Sequence, residues 1–270
     1  MRKHIALALG LLSGIASSYA VSLSGSVGFI SESPSGYINY HSNGVSQNVD
    51  VKNNLGFSSK TKPWVRLKLN THGIKILPNF EFDYLPMKFS GTASNQSFIY
   101  DGYTFSGNVS STLKADHYDI FAYYHLPFIS KASQGLLNPK VGLGVRILDF
   151  KADVTGTATQ VNNITLPSPQ SETVNKSYTV PVPMLYAAVD VKPMADVEGD
   201  FHIKGIAYGS NTYYDVVAEA KLYPRFIKNS LGKHLFIGAG YRYEELKLDA
   251  SSIKTDFKVD GPFAEVGVVF

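Results

Sequence analysis

Apolar and polar residues alternate along about ten stretches of the chain, and clusters of Gly, Pro, Asn and Ser separate these stretches from one another. A period of two puts successive side chains on opposite faces of an extended strand. In the clearest stretch, residues 117–126, Tyr118 and Ile120 alternate with His117 and Asp119. The pattern therefore predicts strands with one apolar and one polar face.

The ten predicted strands are six to twelve residues long, and most are close to what a tilted membrane-spanning strand needs. They cover residues 23–30, 64–70, 80–85, 117–126, 140–147, 183–191, 197–208, 215–222, 235–245 and 262–270. The third is the weakest, so eight or twelve strands remain alternatives. Pro181 and Pro183 cannot donate ladder hydrogen bonds and are predicted to lie at the start of the sixth strand, outside the membrane.

The connections between predicted strands alternate between long and short. The long ones are polar, are predicted to be loops and lie near residues 31–61, 88–113, 152–178 and 248–260. Residues 37–40 can extend the first strand above the membrane, and the short connection at residues 208–212 breaks the alternation. An up-and-down barrel with both termini in the periplasm has short turns on that side and long loops outside.

Nearly every charge within a predicted strand lies opposite its apolar face. Lipid is therefore expected outside, with water or paired charges inside. In hydrocarbon each unpaired backbone group costs several kcal/mol, so a sheet can span a membrane only when it closes on itself. The predicted fold class is all-β, a transmembrane antiparallel up-and-down β-barrel of about ten strands.

The last residues of the chain support this fold class. Phe270, Val268 and Val266 share one face of a final strand, as expected for a strand that shows apolar groups to lipid. The ending resembles the C-terminal signal by which outer-membrane barrels are recognised and inserted, with Val268 where that pattern more often has Tyr. Phe270, Val268 and Val266 are the predicted membrane-insertion signal.

The first residues have the features of an export signal. Arg2 and Lys3 precede an apolar run from Ile5 to Ala16, and small residues follow at Ser18 and Ala20. The run is shorter than the roughly 20 residues that span a bilayer, so cleavage is favoured over anchoring. We therefore expect a signal peptide at residues 1–20 and one barrel domain at residues 21–270.

Composition narrows the function classes. Without Arg2 and Lys3 the chain has 23 basic and 22 acidic residues, a balance of +1 that gives no argument for a nucleic-acid partner. Cysteine is absent, so disulfides and thiolate metal sites are excluded. The seven histidines show no metal-ligand spacing. We expect no metal and no cofactor.

Five short runs resemble a known family. They are Asn54-Leu55-Gly56-Phe57 before Lys62-Pro63-Trp64, residues 116–124, Pro183-Met184-Leu185-Tyr186, Gly240-Tyr241-Arg242, and Asp260-Gly261-Pro262-Phe263 with the ending at Phe270. Together they resemble a family of small Gram-negative outer-membrane β-barrel proteins of unassigned function. The resemblance covers most of residues 21–270, less so the long loops. It implies a fold and a location, and no catalytic residue.

Charged and imidazole side chains on the polar faces are predicted to line the barrel interior. The lumen-lining candidates are Arg66, Lys68, Glu81, Asp83, His117, Asp119, Arg146, Asp200, His202, Asp215, Glu219, Arg242 and Glu244. The same faces carry Lys140, Asp190, Glu198, Lys204, Lys221 and Glu265.

Three interpretations of this lumen are open. The charges can neutralise one another in a hydrated plug, because a barrel of about ten strands is close to the size that side chains fill. They can line a narrow pore or small-solute site, with Arg66, Arg146 and Arg242 in contact with anions. Alternatively, His117 with Asp119, or His202 with Asp200, can act as a base in hydrolysis. No second motif supports hydrolysis, so we do not expect an enzyme.

These observations predict a Gram-negative outer-membrane protein that is structural or a narrow pore with a charged lumen. The alternative is a surface binding or adhesion protein that acts through long extracellular loops, and a barrel hydrolase ranks third. The expected partners are outer-membrane lipid, the barrel-assembly machinery during insertion and a small solute. No nucleic acid is expected.

Overall fold

The computed structural model describes residues 21–40, 47–71, 76–224, 234–250 and 253–270. The strands are numbered along the chain, and ten of them form a closed ring. The ring strands are β1 (Ser22–Tyr40), β3 (Lys60–Asn70), β4 (Asn79–Leu85), β6 (Tyr103–His125), β7 (Leu137–Val161), β8 (Ile164–Met194), β9 (Val197–Tyr208), β10 (Asn211–Leu222), β11 (His234–Ala250) and β12 (Ile253–Val269). Two further strands, β2 (Val49–Asp50) and β5 (Lys88–Tyr100), pair with ring strands, and a short helix α1 (Pro127–Ala132) connects β6 to β7.

All ring strands pair antiparallel with their neighbours, and β12 closes the ring on β1 with Val27 opposite Val266. The predicted antiparallel up-and-down β-barrel of about ten strands is therefore confirmed. The weakly patterned third strand is present as β4, which pairs with β3 and β6. Closure leaves no free edge where the strands cross the membrane.

The two ends of the barrel differ. We call the end that carries Ser22 and Val269 the lower end, and the opposite end, with the tips of the β7–β8 and β9–β10 hairpins, the upper end. Between β6 and β7 the lower end contains α1, a helix that the strand pattern did not predict. The expected signal peptide, residues 1–20, lies outside the described residues.

The apolar faces of the strands point outward. Phe29, Leu143 and Leu185 are 65%, 66% and 71% exposed, whereas the residues that alternate with them point into the ring and are buried or half-buried. On β12, Val266 points outward, Val268 is half-buried, and the Phe270 N–H donates to the carbonyl of Leu23 at 2.8 Å. The outward apolar surface is the face that lipid requires.

Outward-facing charges mark the upper limit of the apolar band. Lys114 lies 2.5 Å from Asp149 above the apolar part of β6 and β7, and Glu245 accepts hydrogen bonds from Tyr214 and Tyr243. Partial burial by itself raises the pKa of Glu245, but its hydrogen bonds lower that pKa to about 2. Glu245 therefore stays ionised, as a side chain at headgroup level should.

Three of the predicted long loops are mostly strand, since residues 248–250 and 253–260 belong to β11 and β12. Residues 88–113 form β5 and the upper half of β6, and residues 152–178 form the upper halves of β7 and β8. Their outward side chains are polar because these parts of the strands lie above the membrane. The sequence there therefore lacks the outward apolar residues that would reveal a strand. Their inward side chains, such as Phe105, Val154 and Val174, are buried.

The prediction that Pro181 and Pro183 lie at the start of the sixth strand is wrong. Both lie within β8, opposite Ile147 and Val145 of β7, and not at its start. Pairing of β8 with β9 begins only at Leu185. The prolines are tolerated because their nitrogens point to the side where β8 has no neighbour.

None of the described helices is long and apolar enough to cross a membrane.

Candidate functional site in the barrel interior

The structure places all the lumen-lining candidates inside the ring. Each of them is 9% exposed or less, and their ion pairs join strands on opposite sides of the barrel. These buried residues are Arg66, Lys68, Glu81, Asp83, His117, Asp119, Arg146, Asp200, His202, Asp215, Glu219, Arg242 and Glu244. We call this set, together with Lys204 and Lys221, the charged layer.

Arg146 is the most enclosed member of the charged layer, with no exposed surface. Its guanidinium holds both oxygens of Asp119 at 2.7 Å, one oxygen of Asp215 at 2.5 Å and the hydroxyl of Tyr213 at 3.0 Å. Paired donors on a planar fork match a carboxylate well. The directions in which Arg146 can donate are therefore occupied by protein groups.

Arg242 extends the network towards the upper end. It donates to both oxygens of Asp215 and to Glu244 at 2.6 Å, and it lies 3.5 Å from Glu32. Glu32 in turn contacts Lys62 at 3.3 Å. Positive and negative groups thus alternate across the lumen.

Lys204 and Arg66 connect the other side of the charged layer. Lys204 contacts Glu81 at 2.9 Å and also pairs with Asp83, while Arg66 donates to Asp83 at 3.0 Å and to Glu219 at 3.2 Å. Burying such charges is tolerated when partners and hydrogen bonds compensate the lost hydration. The arrangement is that of a plug whose members neutralise one another.

The lower side of the charged layer is centred on Asp200. One oxygen of its carboxylate accepts hydrogen bonds from Nζ of Lys68 at 3.0 Å and of Lys221 at 3.2 Å. The other oxygen lies 3.1 Å from Nδ1 of His202. The ring of Tyr186 stacks on His202.

The two predicted imidazole and carboxylate pairs have different outcomes. Asp200 and His202 do form a hydrogen bond, whereas His117 contacts Tyr213 at 3.2 Å, Glu244 at 3.3 Å and Arg242 at 3.5 Å. Both imidazoles are 4% exposed or less. A general base must reach both water and a substrate, and neither ring lies at a surface where a polymer could approach.

An apolar core fills the barrel above the charged layer. Residues 49–57, which we call the cap segment, lie inside the upper end with Val49, Val51, Leu55 and Phe57 all 4% exposed or less. They pack with inward side chains of the wall, and Phe57 lies 6.3 Å from the ring of Phe89. Other wall side chains in the same core are Ile30, Trp64, Phe98, Phe105, Val259 and Phe263.

The cap segment is held against β1 and β5 by close backbone contacts. The Val51 N–H donates to the carbonyl of Gly36, and the Phe57 N–H donates to the carbonyl of Val51. Gly56 has a φ of +71°, and a Cβ on Gly91 would lie 2.0 Å from the Gly56 carbonyl oxygen. Glycine at both positions is what lets the two backbones meet.

Two cavities show how far water can enter. A cavity within the charged layer, lined by residues such as Asp83, His117 and Arg242, has a volume of about 10 Å³, room for about one water molecule. A second cavity of about 1,020 Å³ opens at the lower end and is lined by residues that include Ser24, Asn70, Lys131 and Lys140. We call the second cavity the vestibule.

Three carboxylates near the vestibule come close together. Oxygens of Asp190, Glu198 and Asp200 lie within 4.8 Å of one another. Each is already paired with an ammonium group: Asp190 with Lys140 at 2.6 Å, and Glu198 with Lys192 at 3.0 Å. The lysines supply the positive charge that a metal ion would otherwise provide.

Some members of the site were not among the candidates. Glu32 lies in a stretch interpreted as loop, and Tyr213, which contacts Arg146, His117 and Glu244, precedes the predicted eighth strand. The two-residue period could have found both residues. Glu32 continues the series of inward-facing residues of β1, and Tyr213 continues the corresponding series of β10. The cap segment gave no signal, since two strand residues followed by a turn have no periodicity.

Comparison with known proteins gives the fold. No family profile matches the sequence, and no curated protein matches it. The outer-membrane protease OmpT of Escherichia coli superposes with a TM-score of 0.53 at 8% identity, covering 92% of this chain and 96% of that one. Ail of Yersinia pestis has a TM-score of 0.33 at 12% identity, covering 92% and 98%. The toluene transporter TodX of Pseudomonas putida has a TM-score of 0.31 at 8% identity, covering 92% and 89%. At these identities the likeness to OmpT shows an outer-membrane β-barrel fold.

Proposed function

We propose that this chain is an outer-membrane β-barrel with a closed lumen, and that it holds a rigid β-structured binding surface outside the cell. The upper end then faces the exterior, and the vestibule opens to the periplasm. The observation that carries the proposal is the apolar core around the cap segment, which fills the upper end of the barrel while the strands continue beyond it.

Closure is supported by two layers in series. Ion conduction needs a continuous polar path, and apolar constrictions oppose it by excluding water. The described residues leave no such path through the apolar layer, because Val49, Val51, Leu55 and Phe57 are enclosed by the wall. Below it the charged layer leaves room for about one water molecule.

Arg146 and Arg242 offer little to a passing anion. Both contact Asp215 and two further carboxylates, so an anion would have to displace a protein group from each of them. We therefore favour the surface-binding interpretation over a pore. The enclosed His117 and His202 also favour binding over hydrolysis.

The extension beyond the membrane supports a binding role. β7 and β8 have 25 and 31 residues, whereas about 9–11 residues suffice to span a bilayer. The upper strands share the apolar core, so they form a stiff sheet and not a set of loops. A rigid surface binds with a smaller ordering cost than a flexible loop.

Location and biogenesis belong to the same proposal. The outward apolar band suits outer-membrane lipid, residues 1–20 direct export, and the ending at Val266, Val268 and Phe270 is presented to the barrel-assembly machinery.

Single-channel recording tests closure. Residues 21–270 refolded into a planar bilayer should give no discrete current steps, and Arg146→Ala should also be silent because the apolar core is unchanged. Insertion is verified beforehand by the change in gel mobility between heated and unheated samples. Current steps from the folded wild-type barrel would show that the lumen conducts and that the proposal is wrong.

Deleting the upper hairpin tests the binding role. Residues 153–175 are replaced by Asn-Gly, which joins Ala152 and Lys176 at positions that face each other in the sheet. Cells that display the wild type should aggregate or be retained on a surface, and cells that display the variant should lose both properties at equal amounts of folded barrel. Equal adhesion of both would contradict a role for the hairpin.

A further inference from the structure

One edge of β8 is free above the membrane. β8 pairs with β7 in unbroken register from Gln170 to Val191, but β9 accompanies it only from Leu185 downwards. The β9–β10 hairpin turns at residues 209–210, so β9 ends beside the middle of β8. Among the described residues no strand pairs with the other edge of β8 from residue 170 to residue 184.

The prolines of β8 identify which groups face the free edge. β8 remains paired with β7 at Pro181 and Pro183, which have no N–H, so their nitrogens must point away from β7. Along a strand the backbone groups alternate sides with a period of two. The N–H and C=O groups of Ser171, Thr173, Asn175, Ser177 and Thr179 therefore also face the free edge.

Prolines also limit the length of this edge. Pro167 and Pro169 lie above it, and Pro181 and Pro183 lie below it. Prolines on an edge block strand pairing, and natural proteins use them to prevent aggregation. Residues 170–180, which we call the edge window, contain no proline and span about 35 Å. The window is long enough for one added strand of about ten residues.

Exposed apolar side chains lie beside the edge window. Tyr178 and Val180 are 46% and 45% exposed, on the same face of β8 as the buried Tyr186. Ile206 and Tyr208, at the end of β9, are 38% and 83% exposed on the same face as the buried Lys204. A strand continuing where β9 stops would lie beside Tyr178 and Val180 and meet Tyr208 at its lower end. The opposite face of the window is polar and exposed.

A second copy of this chain does not fit the window. Two barrels in one membrane share an orientation, so a two-fold axis between them lies along the membrane normal. Barrel strands tilt by about 35–45° from that normal. Two β8 strands related by this axis would cross, and could not form a ladder.

We propose that the edge window binds an extended segment of a partner protein as an added β-strand, with apolar residues facing Val180 and Tyr208 and polar residues facing outward. The inference rests on the proposed surface-binding function and specifies its mode. Backbone hydrogen bonds to the window supply affinity, and the alternating side chains supply selectivity.

Peptide binding to the barrel in lipid nanodiscs tests this proposal. The probe is a fluorescent peptide in which Val alternates with Thr over ten positions between terminal lysines, and binding is measured by anisotropy. The control peptide carries N-methyl groups on alternate residues, so it keeps the side chains but loses one set of backbone donors. The unmodified peptide should bind, and the N-methylated peptide should bind at least about tenfold more weakly.

Ser177→Pro and Ser177→Ala are the matched protein variants. The proline removes an N–H from the free edge without removing one from the β7 ladder, as Pro181 and Pro183 already do. Ser177→Pro should weaken binding about tenfold or more, while Ser177→Ala should bind like the wild type. Folding of both is checked by the heat-dependent gel shift.

Three results would overturn the inference: no binding to the wild type, equal binding to Ser177→Pro, or equal binding of the N-methylated peptide. Self-association of the barrel that Ser177→Pro abolishes would show that a second copy occupies the window and would also overturn it. If the barrel gives no current steps and binds no peptide, the edge-window proposal is wrong but the proposal of a closed lumen still holds. Current steps would refute closure without affecting the edge window.

Discussion

At the scale of single residues, the direction of each side chain follows from its place in a two-residue period. On β7, Val141, Leu143, Val145 and Ile147 face outward, and Lys140 and Arg146 face inward. The same backbone conformation thus serves hydrocarbon on one side and a charged layer on the other. Replacing an outward apolar residue by a charged one, or an inward charged residue by an apolar one, should therefore lower the free energy of unfolding. The first change places a charge in hydrocarbon, and the second leaves a buried charge without its partner.

Leu143→Arg tests the outward face. Leu143 lies near the middle of the apolar part of β7, so the substituted cation should cost roughly 2–4 kcal/mol of unfolding free energy. The measurement is guanidinium unfolding in lipid vesicles, followed through the single tryptophan, Trp64. The control is Thr157→Arg, on the same face but above the membrane, where the cost should be below about 1 kcal/mol. Equal effects at both positions would show that Leu143 does not face hydrocarbon.

Arg146→Met tests the inward face. Methionine has a similar length but no charge. Asp119 then loses its closest ion-pair partner, and Asp215 keeps only its ion pair with Arg242. Removing one member of a buried ion pair should cost about 3–5 kcal/mol. The double variant Asp119→Asn with Arg146→Met should be less destabilised than the sum of the single changes, since no charge is then left unpaired at Asp119. Additive losses in the same unfolding assay would mean that the two side chains are not coupled.

At the scale of elements, strand length exceeds what the membrane requires. The upper parts of β5, β6, β7 and β8 were interpreted as loops because their outward residues are Ser, Thr and Asn. They are strands because inward residues such as Phe89, Phe105 and Val154 form one apolar core with the cap segment. Burial on a single face is enough to fix the register of an antiparallel sheet.

Gly91→Ala tests the seating of the cap segment. The added Cβ would lie 2.0 Å from the Gly56 carbonyl oxygen, so the two backbones must separate. Overpacking of this kind costs about 1–3 kcal/mol, and hydrogen exchange of the Gly56 and Phe57 amides should accelerate about tenfold or more. The control is Ser90→Ala at the neighbouring exposed position. Unchanged exchange in Gly91→Ala would show that the cap segment does not depend on this contact.

At the scale of the whole molecule, the barrel is divided along its axis. The vestibule at the lower end holds about 1,020 Å³, a cavity within the charged layer holds about 10 Å³, and the upper end is filled by apolar side chains. Ten strands make a ring narrow enough for side chains to close. Water is therefore expected to reach the charged layer from the lower end only.

Cysteine labelling tests this division. The chain has no cysteine, so a single substitution gives a unique label. Ser24→Cys, in the vestibule, should react with an impermeant maleimide added on the lower side of oriented vesicles and not with reagent on the upper side. Ser111→Cys, at a position 2% exposed on the inner face of the upper half of β6, should be protected from both sides. Labelling of Ser24→Cys from the upper side would reveal a path through the barrel.

The sequence by itself determined the fold class, indicated about ten ring strands, and gave the face on which the charged residues of the predicted strands lie. The reason is that a strand's two faces are fixed by local geometry alone. It also indicated the pairing of Asp200 with His202, two residues apart on one strand. Only the tertiary structure decided which charges meet across the ring, because partners such as Arg66 and Glu219 are 153 residues apart. The closure of the upper end by the cap segment and the free edge of β8 likewise depend on where neighbouring strands stop, which no periodicity along a single strand can encode.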